Sequence, residues 1–125
     1  MKSIALAFLI AAAAGPALAA PVVIHDHNHL ALSSRGLIAD VESDDPGNLA
    51  DDPHVVVVVR DANGKTQATY DPCKSCKYEG LAWSPSGDVL AFVATDRKAG
   101  TATLYAVEKA APRALTVVKG IANTV

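Results

Sequence analysis

Two stretches of this chain are copies of one pattern, and that repetition limits the fold more than any other feature. Leu30-Ala31-Leu32-Ser33-Ser34-Arg35-Gly36-Leu37-Ile38-Ala39-Asp40-Val41-Glu42-Ser43 aligns with Leu81-Ala82-Trp83-Ser84-Pro85-Ser86-Gly87-Asp88-Val89-Leu90-Ala91-Phe92-Val93-Ala94-Thr95. With one gap opposite Asp88, Leu, Ala, Ser, Gly, Ala and Val recur in register, and Leu37-Ile38 faces Val89-Leu90. The offset from Leu30 to Leu81 is 51 residues. A fixed period of this size marks supersecondary units that each bury a face against the next.

The units read as strands. Beyond the first twenty residues nothing sustains apolar positions at helical spacing between caps; short apolar runs bounded by turn residues recur instead. The five valines Val55 to Val59 lead through Asp61-Ala62-Asn63-Gly64-Lys65 into Thr66 to Tyr70, and Asn-Gly supplies the positive φ angles of a tight hairpin. The spacing predicts strands over 29–33, 37–43, 54–60 and 65–71 in the first unit. It predicts strands over 80–84, 89–95, 101–108 and 113–119 in the second. Each set is an antiparallel meander about the size of one four-stranded propeller blade. Gly120-Ile121-Ala122 echoes Gly80-Leu81-Ala82, so residues 120–125 are expected to open a third unit.

Residues 1–19 carry a different signal. One cation at Lys2, an apolar run from Ile4 to Ala14 and the small residues of Gly15-Pro16-Ala17-Leu18-Ala19 form a cleavable secretory leader. The run is too short to span a bilayer. Cleavage leaves residues 20–125, more acidic than the whole chain's formal −2 because Lys2 leaves with the leader. Such a chain lacks the basic face that nucleic acid requires. It is expected to be periplasmic or secreted, with residues 20–28 as a polar linker. The first unit then spans 29–79, including an acidic insertion and a C-x-x-C loop, and the second spans 80–119.

The decapeptide Trp83-Ser84-Pro85-Ser86-Gly87-Asp88-Val89-Leu90-Ala91-Phe92 resembles the repeat of TolB-type, WD-repeat-like β-propellers, whose units carry Trp-Ser-Pro-Asp-Gly before an apolar strand. Ser86 stands where that family has Asp, and the first copy departs further, with Leu32 for Trp and Ser34-Arg35 for Pro-Asp. Thr103-Leu104-Tyr105-Ala106-Val107 and Ala114-Leu115-Thr116 resemble the third and fourth strands of such blades. The resemblance implies an all-β fold of about two blades of an incomplete propeller. It implies two settings: the N-terminal propeller of exported prolyl-oligopeptidase-family serine peptidases, or a TolB-like periplasmic protein that binds other proteins. Two blades cannot close a ring, so the expected partners are further blades and a C-terminal hydrolase domain, or protein partners.

The residues of the motif have physical roles of their own. Pro85 fixes φ at the second position of a turn and Gly87 tolerates the left-handed conformation that closes it, next to Ser84. Trp83 supplies a large apolar surface between units, and its N–H needs a partner when buried.

Cys73-Lys74-Ser75-Cys76 lies between strands with no helix to activate a thiol and no further pair of zinc-type cysteines, so an exported chain is expected to close Cys73 to Cys76 as a structural disulfide. His25, His27 and His29 alternate as metal ligands on a strand would, but next to the leader they read as linker. Asp40, Glu42, Asp44, Asp45, Asp51 and Asp52 match no EF-type spacing and read as a solvated acidic stretch without a cation, with His54 at a strand edge. None of the serines sits in G-x-S-x-G, and no nucleophile elbow or triad is evident, so no catalytic residue, metal or cofactor is expected in this chain. Its expected role is a non-catalytic propeller segment that gates substrate access to a peptidase; the TolB-like binding module is the second reading.

Overall fold

The structure is a computed structural model that describes residues 24–45 and 53–120. It is all-β, with eight strands and no helix among the described residues. Strands β1 (Ile24–Leu32), β2 (Ile38–Asp45), β3 (His54–Arg60) and β4 (Thr66–Tyr70) form one antiparallel sheet in chain order. Strands β5 (Lys77–Trp83), β6 (Leu90–Asp96), β7 (Thr101–Val107) and β8 (Arg113–Lys119) form a second sheet of the same order. The expected leader, the echo at 121–125 and the middle of the acidic insertion lie outside the described residues.

The two sheets repeat each other down to their irregularities. The β1–β2 ladder breaks between Asn28 and Ala31, and the β5–β6 ladder breaks between Glu79 and Ala82. At each break one residue takes positive φ, His29 at 61° and Gly80 at 64°. These are β-bulges, which insert residues into one strand and re-aim it. They explain why the first strand of each sheet starts earlier than its pattern suggests. A bulge interrupts the period-2 alternation, so β1 begins at Ile24 rather than 29 and takes in most of the expected linker; β5 begins at Lys77 rather than 80. The 61–65 turn also differs from the expected two-residue form. Only Gly64 has positive φ (82°), and the Asp61 carboxylate accepts from the N–H groups of Asn63 and Lys65.

The sheets pack face to face, with β5 lying against β1, β2 and β3. Alternation selects the inner residues: Ala39 and Val41 of β2 and Val55, Val57 and Val59 of β3 meet Leu90, Phe92 and Ala94 of β6. Phe92 is fully buried, edge-on to Tyr78 at 5.7 Å and stacked on Tyr105 at 5.6 Å. Burying a side chain of this size stabilises by about 2–3 kcal/mol. Val58 is buried as well, on the opposite face of the first sheet, so the valine run is covered from both sides. β8 by contrast is an edge strand, exposed along its whole length.

Candidate functional site

The best-built feature of the molecule is the seam where one repeat rests on the next. The turns at Ser33–Gly36 and Ser84–Gly87 are alike: Gly36 N–H donates to Ser33 O at 3.1 Å, and Gly87 N–H to Ser84 O at 2.8 Å. In each, the serine hydroxyl accepts from the backbone beyond the turn, Ser33 from Leu37 at 3.0 Å and Ser84 from Val89 at 3.1 Å. The extra residue in the second loop is Asp88, the position of the sequence gap. The turns also touch. Ser34 Oγ donates to Pro85 O at 3.0 Å, Arg35 Nε donates to Ser86 O at 3.2 Å, and Arg35 pairs with Asp88 at 2.8 Å. Ser34 and Pro85 are equivalent positions 51 residues apart, as are Arg35 and Ser86.

Trp83 closes the seam from inside. Its ring is half-buried against the core, and its Nε1–H donates to Ala31 O at 3.1 Å in the first sheet. That is the partner a covered indole requires. Its counterpart Leu32 is 74% exposed, so only the second copy uses this position as an anchor. Beside the seam, Arg35, Gln67, Tyr70, Trp83, Asp88 and Lys109 line an open cleft of about 260 Å³. That is smaller than an ordinary small-molecule pocket.

The C-x-x-C loop holds a disulfide between Cys73 and Cys76, with Cα atoms 5.3 Å apart. Tyr78 buttresses it: the phenol oxygen accepts from Cys73 N–H at 3.0 Å and has two acceptors for its own O–H, Asp71 Oδ1 and Cys73 O, each 2.9 Å from the oxygen. Burial pushes the Tyr78 phenol well above its ordinary pKa, with Asp71 adding to the effect. Asp71 also meets His54 Nε2 at 3.0 Å, and His54 is the exposed first residue of β3, at a strand end as its sequence context suggests. Ser75 donates to Asp96, whose carboxylate is held below its usual range chiefly by the N–H of Ala99.

Two members of the acidic stretch are not solvated as its composition suggests; the side chains of Asp44, Asp45, Asp51 and Asp52 lie outside the described residues. Asp40 and Glu42 are 3% and 7% exposed in the middle of β2. Alternation puts both on the face opposite the apolar core, where β1 brings an imidazole and β3 a guanidinium. His27 Nδ1 contacts Asp40 Oδ2 and lies 3.8 Å from Glu42 Oε1, and Arg60 Nη1 donates to Glu42 Oε1. His27 stands directly opposite Glu42 in the ladder, and Asp40 opposite Val58. Among the described residues Asp40 Oδ1 is buried without a hydrogen-bond partner. His29 does not share the face of His27 that the sequence alternation suggests, because it sits in the bulge at positive φ. The sequence signal for this cluster was the i, i+2 spacing of Asp40 and Glu42 within an expected strand, which places both on one face.

No protein-family model, curated protein or solved structure matches this chain. No helix among the described residues is long and apolar enough to cross a membrane.

Proposed function

We propose that this chain is a non-catalytic pair of blades from an exported β-propeller, most simply the propeller of a prolyl-oligopeptidase-like serine peptidase, where it gates access of substrates to the hydrolase. One observation carries the reading: the contact between the two repeats joins equivalent positions, Ser34 to Pro85 and Arg35 to Ser86. Both bonds run from a side chain of the first unit to a main-chain carbonyl of the second, so the two units offer different groups to one contact, and a head-to-tail contact of that kind can propagate through further units. The exposed Leu115, Val117 and Val118 of β8 supply apolar surface for neighbours. The disulfide suits an oxidising compartment, and with it export to the periplasm or the medium. The chain's contribution in this setting is steric.

Recovery of the native protein from periplasmic extract, with an antibody raised against residues 54–119, tests the proposal. Labelling with a fluorophosphonate probe follows, and then mass determination. A labelled polypeptide that includes these residues supports the peptidase. An unlabelled polypeptide recovered with stoichiometric protein partners replaces it with the TolB-like binding module. An unlabelled, unpartnered monomer overturns both.

A further inference from the structure

The charged face of the first sheet stands where the second sheet carries the face that packs on its neighbour. The repeat defines what should stand there. Matching the two ladders row by row pairs His27 with Tyr78, Asp40 with Phe92, Glu42 with Ala94, Val58 with Tyr105 and Arg60 with Val107. In the second sheet this set is the aromatic and aliphatic centre of the core. In the first it is an imidazole, two carboxylates and a guanidinium around one valine.

We propose that His27, Asp40 and Glu42 form a site for one divalent transition-metal cation of the Zn²⁺ class. The three side chains each offer a ligand atom, and these atoms lie within 4.8 Å of one another. His27 Nδ1 and Glu42 Oε1, 3.8 Å apart, need only a small contraction to share a cation at the ordinary ligand distance of about 2.0–2.2 Å. One nitrogen and two carboxylate oxygens suit zinc and its neighbours; calcium and magnesium prefer all-oxygen shells.

Two further observations point to a cation. Asp40 Oδ1 is buried with no donor among the described residues, and an ionised oxygen in that state is costly unless something positive meets it. Two carboxylates under 10% exposed share a face whose one permanent cation among the described residues is Arg60. With neutral His27 the cluster keeps a net negative charge, which a divalent ion would more than offset. Arg60 has a definite place in this scheme: it holds Glu42 Oε1 and therefore competes with a metal for that oxygen. His27 is half-exposed, which leaves an approach for the ion from one side.

Titration of the chelator-stripped full chain with ZnCl₂ by calorimetry, repeated with CoCl₂ to read the visible ligand-field bands, tests the site. One equivalent should bind. Asp40→Asn and Glu42→Gln should each weaken binding by about 100-fold and change the Co²⁺ spectrum; loss of an outer partner typically costs about 10–100-fold. His29→Asn should leave both unchanged. Arg60→Gln keeps every ligand and removes the competitor, so it should bind more tightly than the parent chain. This last arm decides the matter if a carboxylate variant fails to fold. Absence of binding, binding that survives Asp40→Asn but not His29→Asn, or weaker binding in Arg60→Gln overturns the proposal.

Discussion

Asp40 occupies in the first sheet the position that Phe92 occupies in the second. Each lies in the second strand of its sheet, opposite Val58 in one case and Tyr105 in the other, and each is buried. The repeat therefore keeps its backbone and exchanges the chemistry of one whole face. A fully apolar position has become a carboxylate served by an imidazole, and the neighbouring Ala94 position has become Glu42 served by Arg60.

The Trp83 anchor should separate its polar and apolar parts on mutation. Trp83→Phe keeps most of the ring contact but loses the bond to Ala31 O, which is expected to cost about 1 kcal/mol. Trp83→Ala should cost about 3 kcal/mol, the low end for a large core side chain because the ring is only half-buried. Arg97→Ala, at an exposed turn, should change stability by less than about 0.5 kcal/mol. Urea denaturation of the three variants checks the order, and equal effects at Trp83 and Arg97 would contradict the seam.

Two equivalent glycines should respond differently to the same substitution. Gly36 and Gly87 have φ of 76° and 75°, so alanine strains both turns alike, by about 1–2 kcal/mol. Only at Gly87 does the added carbon meet the other repeat: Ser34 Oγ at 2.8 Å, Arg35 Cγ at 3.1 Å and Arg35 N at 3.3 Å. Gly87→Ala should therefore cost about 1–3 kcal/mol more than Gly36→Ala in the same denaturation assay.

The disulfide closes a very short loop, so its chain-entropy contribution is at most about 2 kcal/mol. Alkylation of periplasmically produced, unreduced protein should leave Cys73 and Cys76 unlabelled and linked by mass spectrometry. Reduction should lower the thermal midpoint by several degrees without unfolding the protein at 25 °C.

Alkaline pH should find Tyr78. Burial raises its folded pKa above the ordinary value near 10, so its contribution to stability is complete below that pH and declines as pH rises past it. Ultraviolet titration should show one tyrosinate appearing only as the fold is lost, and Tyr78→Phe should flatten the alkaline limb. Asp96 acts in the opposite sense. Its carboxylate is held low chiefly by the Ala99 N–H, so its contribution is present above the unfolded carboxylate pKa and fades as the solution is acidified.

The β8 edge should govern solubility. Leu115, Val117 and Val118 are 48%, 54% and 58% exposed on a strand with an unpaired edge, which invites intermolecular pairing. Light scattering should show the parent chain self-associating with concentration, and Val117→Lys with Leu115→Glu should suppress it. A parent chain that stays monomeric at high concentration would contradict this expectation.

The sequence by itself determined the number of strands, their order and where the chain turns. Those rest on local physics: runs of β-branched residues with period-2 alternation, and turn residues such as Pro85 and Gly87 whose backbone preferences act within four residues. The repeat was legible too, including the one-residue excess at Asp88. Only the tertiary structure decided what lies across the chain from each residue. The bulges at His29 and Gly80 break alternation, so the true starts of β1 and β5 were hidden. Arg60 is eighteen residues from Glu42, and His27 is thirteen from Asp40. The composition of the 40–52 stretch therefore reads as solvated acid, although strand pairing brings a guanidinium and an imidazole onto Asp40 and Glu42. Burial and charge pairing are properties of the register between strands, and no window of local sequence contains them.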